Sequence, residues 1–510
     1  MSVLSWEVVS QVLTPTTFIW MAIGTLVGLL IGSLPGLGPS LGIALMLPFT
    51  KYLTPLQGVI MLVCLYMSVE YGGSIASIAI GVPGTGAAVV TMFDGQPMAQ
   101  KGQPGRALGL SLTASTIGGI FGVLVLMFGT TLVSKIVYNL TDPELFTIAL
   151  FGVLSIAYIG SKNIPKTLMS VLIGLLMGTV GIDPFTAAPR FTMGNYNLYD
   201  GFALVPVVIG LYAVPSIFNM LSAKNTSERM ELKSKDLNTH LEKGDFIKCL
   251  PSIFYGGIIG SIIGIIPGLG GGPATFLSYN TLKGFGKNKE TFGTGDPRGI
   301  TVCESANNAV VGGALLPFLT LGIAGSPAVA VVGSAFIQQG IEPGVALMRN
   351  SPDLVYGIMW GLLIGCFFMY IFGKLATSMF ARLLVIPNSL MAPLLAFFVL
   401  AGAYVSRYLP ADVLIALIIG VLAFFISKLG YSLPCIIVSL VLSDILEGSF
   451  RRSLILSKGD WSIFIRDGIC LFFVGLSIVV VGSILISNAR KAARKAKVAA
   501  EASPEQKPEQ

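Results

Sequence analysis

The sequence predicts an all-α polytopic membrane protein made of two homologous repeats, with roughly 10 to 14 membrane segments. Three observations carry that expectation. Of 510 residues, 54% are hydrophobic and only 11% charged, whereas a soluble domain carries about 25% charged residues. The apolar residues fall in long unbroken runs, unlike the short alternating strands of an outer-membrane barrel. Gly-Pro-rich interruptions recur in the same order in both halves, so broken helices or re-entrant hairpins are expected. A soluble enzyme and a receptor with one anchor are both excluded.

The first repeat is expected over residues 1–221. Its apolar runs are Phe18–Leu34, Leu41–Phe49, Leu56–Met67, Leu108–Val133, Leu145–Ile159, Thr167–Val180 and Phe202–Met220. Residues 222–249 read as a solvated linker, because six basic and five acidic side chains crowd into 223–248. The second repeat, 250–487, has apolar runs at Ile253–Ile266, Ala306–Ile337, Leu354–Phe380, Leu384–Val405, Val413–Ile426, Leu433–Leu446 and Ile463–Ile486. Residues 488–510 are expected to be a disordered basic tail. There Arg490, Lys491, Arg494, Lys495 and Lys497 hold much of the net charge of +7. They read as a positive-inside anchor at the bilayer rather than a nucleic-acid patch, although Arg451, Arg452, Lys458 and Arg466 compete with them for orientation.

Other function classes fall away. Six scattered cysteines without CxxC spacing indicate neither a disulfide framework nor a zinc site. The only histidine, His240, lies in the charged linker, which rules out histidine metal sites and Ser-His-Asp chemistry in the membrane. No basic residue precedes Lys51, so a cleaved signal peptide is not expected. The chain lacks the GxxxxGK[ST] phosphate loop and supplies no nucleotide-hydrolysing site of its own; no cofactor is expected.

The chemistry is concentrated where the halves repeat. LPGLGPSLG from Leu34 matches IPGLGGGPA from Ile266, and the segment Gly72–Thr85 resembles Gly312–Ser326 with one residue of slippage. Ala157-Tyr158 likewise echoes Ala403-Tyr404. Three ordered matches argue for duplication, with an inverted arrangement preferred over a parallel one. Pro35, Gly36 and Gly38, and equally Pro267, Gly268 and Gly270, interrupt helices inside apolar sequence, where unpaired amides are tolerable only against protein or a water-filled cavity. A helix restarting at Ser40 or Ala274 would turn free N–H groups and a positive dipole end toward an anion; the bland alternative is close helix packing at glycine.

The second motif pair gives a polar entrance, a short helix and a small-residue tip. Gly72, Gly73 and Ser74 lead to Pro83, Gly84 and Thr85; Asn307 and Asn308 lead through Gly312 and Gly313 to Gly325 and Ser326. Hydroxyls and amides there are candidate donors to a carboxylate. Glu70, Glu304, Asn307 and Asn308 are candidate holders of a coupling Na⁺ or proton, since acidic residues at membrane depth are functional by default. Asp94 reads as a turn residue before Gly95, and Arg190 as an interfacial anchor.

These motifs, with the DGQPMA, KGQPGRAL and LGIAGSP segments, resemble the large membrane subunit of the tripartite tricarboxylate transporter family through about Ser487. The resemblance implies a bacterial inner-membrane permease importing carboxylates, citrate among them, on an ion gradient. It further implies two partners, a small membrane subunit of about four helices and a periplasmic solute-binding protein. Carried over by position, the family's motifs fall on the proline, glycine, asparagine, serine and threonine positions named above. Gly81, Gly86, Ala324 and Arg298 depart from the family's usual residues, which bears on substrate identity. Two alternatives are a stand-alone carrier or channel, and an intramembrane aspartyl protease with Asp296 in GTGD and Asp200 after Tyr199; the solvated setting of Asp296 counts against the protease.

Overall fold

A computed structural model describes residues 5–137, 139–159, 163–222, 239–285, 288–383 and 388–483. Most of the charged linker and all of the basic tail lie outside the described residues. Nine helices among the described residues are long and apolar enough to cross a membrane, and three shorter apolar helices accompany them. The multi-pass all-α architecture expected from composition is therefore present.

In the first half, α1 (Trp6–Val12), α2 (Pro15–Ser33), α3 (Pro39–Met46), α4 (Pro55–Ile80), α5 (Ala88–Gln100), α6 (Pro104–Val137), α7 (Asp142–Ile159), α8 (Ile164–Gly178) and α9 (Leu204–Ser222) follow one another. Between α8 and α9 a two-stranded hairpin pairs β1 (Gly181–Ile182) with β2 (Pro189–Arg190). The second half comprises α10 (Lys243–Ile265), α11 (Gly271–Phe285), α12 (Pro297–Leu321), α13 (Pro327–Gln338), α14 (Val345–Asn350), α15 (Pro352–Leu383), α16 (Asn388–Arg407), α17 (Pro410–Lys428), α18 (Leu433–Leu456), α19 (Ile463–Arg466) and α20 (Gly468–Ser483). Many helices start on proline, whose missing N–H costs nothing in the first turn. Thr14, Thr54, Asp296 and Ser326 cap α2, α4, α12 and α13 with side-chain oxygens. The apolar run Ala306–Ile337 is not one helix: Gly322 adopts φ +79° and ends α12, and α13 restarts after Ser326.

Glycine sets the closest contacts. Gly24, Gly28 and Gly32 of α2 meet the carbonyls of Met61, Leu65 and Val69 on α4, and Gly256, Gly260 and Gly264 of α10 meet those of Val302, Ala306 and Val310 on α12. A Cβ at any of the six would lie 2.2–2.8 Å from a carbonyl oxygen, so only glycine permits the approach. Residue numbers rise together along both ladders, so the two pairs are parallel. By contrast α4 and α12 cross antiparallel: Glu70 meets Asn307, Met67 meets Asn308 and Ser74 meets Glu304.

Two bodies result. A tip body holds α2–α6, α10–α13 and α15, and a frame holds α7–α9 and α16–α18. Within the frame, α9 packs on α16 and α17 while α18 packs on α7 and α8, so each half covers the other. One membrane face carries Lys51, bonded to the Ser406 carbonyl, together with the hairpin and Arg451. At the other face Arg106 pairs with Asp245 and Lys101 bonds the Thr294 carbonyl.

Candidate functional site

Each tip is a chain reversal that re-enters the bundle. After α4, Gly81 takes φ +67° and the Gly84 N–H donates to the Gly73 carbonyl at 3.2 Å. After α12, Ile323 and Gly325 donate to the carbonyls of Pro317 and Ala314 at 3.3 Å, and the Ser326 hydroxyl accepts the Val329 N–H. A Cβ on Gly84 would lie 2.2 Å from the Gly32 carbonyl oxygen, and one on Gly325 2.4 Å from that of Gly264. The tips are thus seated on the same glycine-bearing helices that lead into the Pro-Gly-Leu-Gly segments.

The elements then converge. Gly268 donates to the Gly325 carbonyl at 3.0 Å, joining the second interruption to the second tip. Thr275, the fifth residue of α11, donates to the Ala87 carbonyl beside the first tip. Tyr66 of α4 bonds Ser326 at 3.0 Å. Gly271 lies so close to Asn307 that a Cβ there would sit 2.5 Å from Oδ1. Among the described residues no acceptor meets the amides of Gly271 and Gly272, the donors expected to be free at a helix start.

Around this point three buried side-chain oxygens have no partner among the described residues. Glu70 is 4% exposed and its carboxyl faces Asn307 and Thr85, yet Oε2 accepts nothing. Asn307 donates from Nδ2 to the Glu70 carbonyl at 3.3 Å while its Oδ1 stays unpaired. Asn308 makes the same kind of bond to the Met67 carbonyl at 3.0 Å, and its Oδ1 is also unpaired. Unpaired oxygens in a buried polar centre call for an explanation. None of the described side chains that converge on this centre is a Lys, Arg or His.

Glu304 differs in kind. It is fully buried and accepts four hydroxyls: Ser74 at 2.5 Å and Thr91 at 2.5 Å on Oε1, Ser111 at 2.9 Å and Ser115 at 2.8 Å on Oε2. Both oxygens are engaged, and Ser74 is committed to Glu304 rather than open to a ligand. Gly72, Gly73, Gly312 and Gly313 are likewise contact positions, set against Leu29, Thr85, Gly122 and Ser261. In the first interruption Gly36 is exposed with φ +82°, Pro35, Gly38 and Ser40 are half-buried, and α3 leads away to pack on α9 and α13. Pro267 is buried, and Gly270 lies against Ser326. Pro83 is half-buried beside the buried Gly84 and Thr85.

Asp94 is not a turn residue. It lies inside α5, 1% exposed, and Oδ1 accepts the N–H groups of Gly293, Gly295 and Asp296 at 2.8–2.9 Å while Oδ2 accepts Tyr279. The carboxylate thereby ties α5 to the α11–α12 connection. Arg190 is paired with Glu447 at 2.6 Å, more than a lone anchor, and lines a cavity of about 960 Å³ at the Lys51 face with Ser334, Asp200 and Asp444. That cavity lies between α13 and the frame, away from Glu70. The carboxylates of the protease alternative are not brought together: Asp200 lines this cavity, whereas Asp296 pairs with Arg298 at 2.6 Å and is packed against Asp94.

Tyr66, Thr275 and the Gly271-Gly272 amides are site features that sequence reasoning missed. Thr275 follows the Pro-Gly-Leu-Gly segment by five residues, a signal that was present. Tyr66 carried none, since Ser326 is 260 residues away.

Interrupted helices that meet at a buried polar centre inside a multi-pass bundle are the construction of a membrane transport protein. Comparison with known proteins narrows the class: residues 18–438 match the tripartite tricarboxylate transporter TctA family. The chain belongs to that family. It is similar to an uncharacterized 52.8 kDa protein in the TAR-I ttuC' 3' region of Agrobacterium vitis, 35% identical over 92% of this chain and 93% of the relative. A second Agrobacterium vitis protein, in the TAR-II ttuC' 3' region, is 33% identical over 45% of this chain and 96% of its own length. No solved structure matches the chain.

Proposed function

We propose that this chain is the large permease subunit of a secondary transporter that imports carboxylates, citrate or other di- and tricarboxylates, across the bacterial inner membrane. It works by alternating access, with a periplasmic solute-binding protein delivering cargo and a small membrane subunit of about four helices beside it. One observation carries the reading: the start of α11, whose Gly271 and Gly272 amides have no acceptor among the described residues, lies against Asn307, beside the unpaired oxygens of Glu70 and Asn307. Donors of that kind suit a carboxylate, and oxygens of that kind suit a hard cation.

The lack of a cationic side chain gives the cation a second task. A di- or tricarboxylate entering beside Glu70 meets only dipoles, so its charge is offset by Na⁺ or H⁺ bound with it, and uptake is coupled to the ion gradient. Asn307 and Asn308 add amide oxygens at the same depth. The antiparallel crossing of α4 and α12, the matching glycine ladders and the reciprocal cover within the frame support an inverted duplication of the two halves.

The test is uptake into proteoliposomes holding the full three-component system, with a panel of mono-, di- and tricarboxylates at varied Na⁺ and pH. Concentrative uptake of at least one carboxylate, abolished by collapsing the cation gradient, is expected. Gradient-independent equilibration would favour a channel, and no carboxylate uptake would refute the assignment.

A further inference from the structure

The two halves correspond in sequence, but they do not sit alike against the frame. On the Lys51 face the helices that follow the first interruption and the second tip are docked: α3 packs on α9 and α16, and α13 packs on α18 and α9. Their counterparts across the duplication are α11 and α5, and among the described residues neither forms more than a marginal contact with a frame helix. Side-chain exposure repeats the contrast. Aligned on Pro35 and Pro267, Ala44 and Leu45 of α3 are 0% and 8% exposed, while Phe276 and Leu277 of α11 are 57% and 41% exposed. Aligned on Gly84 and Gly325, Ala330 and Ser334 of α13 are both 0% exposed, while Val89 and Phe93 of α5 are 37% and 40% exposed.

We propose that these four side chains form an intramolecular seat that is used in the other transport state. The tip body slides along the frame until α11 docks on α18 and α7, and α5 on α9 and α18, the images of the contacts now made by α3 and α13. This deepens the alternating-access reading above and rests on it. Two internal bodies with equivalent but unequally used surfaces have two equivalent arrangements, and the described one uses only half of those surfaces.

The present contacts set the distance. Gly402 of α16 touches Pro48, just beyond α3, its Cβ position 2.9 Å from the proline Cγ. The images of Gly402 and Pro48 are Ile156 of α7 and Asn280 of α11. Yet Ile156 now lies against Gly268, at 2.8 Å from its Cβ position. Exchanging Gly268 for Asn280 opposite Ile156 moves α11 along α7 by about twelve residues, roughly 18 Å at 1.5 Å per residue. That travel carries a site held between the tips across a large part of a bilayer core of about 30 Å.

Paired cysteines test this in the full transporter. Pro48→Cys with Gly402→Cys reports the described state, and Ile156→Cys with Asn280→Cys reports its image. Both pairs flank the charged linker, so with the six native cysteines replaced by alanine, cleavage at a protease site placed there leaves the halves joined only where the introduced bridge has formed. Oxidation is expected to bridge both pairs, to cut uptake at least tenfold in each, and to be reversed by reductant, while single-cysteine variants transport normally. If the Ile156–Asn280 pair never bridges in membranes that take up carboxylate, the sliding is wrong and the transport assignment stands. Loss of uptake in the wild type would fail the assignment instead. Phe276→Asn gives a check without cysteines. Thermal unfolding like the wild type with uptake lowered at least tenfold is expected, and unchanged uptake overturns the seat.

Discussion

Glu70 and Glu304 stand at similar depth on crossing helices, and each flanks a glycine motif, yet the structure treats them oppositely. Four hydroxyls from α4, α5 and α6 close around Glu304; Glu70 keeps an oxygen that nothing among the described residues satisfies. The difference teaches that an acidic residue in a membrane is informative only through its partners. A carboxylate with its acceptor sites filled ties helices together, whereas one left short of donors is open to something that arrives from outside.

Breaking the closed carboxylate should have the largest effect. Glu304→Ala orphans four buried hydroxyls and is expected to cost on the order of 3 kcal/mol or more, read as loss of monodisperse protein on size-exclusion chromatography in detergent. A variant with wild-type thermal stability would show that the four hydroxyls do not depend on the carboxylate. Next comes Glu70→Gln, which preserves size and removes the charge. Its thermal stability should match the wild type while concentrative uptake falls at least tenfold; retained uptake with an unchanged cation response would dissolve the contrast between the two residues.

A third variant pair sharpens the comparison within one helix turn. Asn307→Ala should raise the cation concentration for half-maximal uptake severalfold. Asn308→Ala, which loses the bond to the Met67 carbonyl, should lower stability by about 1 kcal/mol with a smaller change in cation response, and equal responses in the two would merge their roles. The smallest effect concerns the Lys51 face. Asp183 has its pKa lowered to about 2, first by the Phe185 N–H and then by Arg451. The unfolded value is about 3.9, so its contribution is present above that pH and is lost as pH falls through about 2. Limited proteolysis of the hairpin should therefore be unchanged from pH 7 to pH 5, and new cleavage at pH 5 would contradict it.

Much of this was legible in the sequence. The interruptions at Pro35 and Pro267, the two tips and the amide pair were visible as motifs because local chain chemistry creates them. What stayed hidden was partnership across the chain. Ser111 and Ser115 look like ordinary small residues on α6 until α12 brings Glu304 against them, about 190 residues later in the sequence. Asp94 followed by Gly95 has the local form of a turn, but amides some 200 residues away bury it in a helix. Gly24, Gly28 and Gly32 carried a readable four-residue spacing, though not the helix they approach. Ala306–Ile337 read as one run because both sides of its break are apolar.

The paired glycine ladders have a dynamic consequence. Where main chain lies directly on main chain there are few rotamers to melt and little slack through which water can enter. The amides of α4 and α12 opposite those ladders should accordingly be among the last in the molecule to exchange with deuterium, an unyielding spine from which the softer tips are hung.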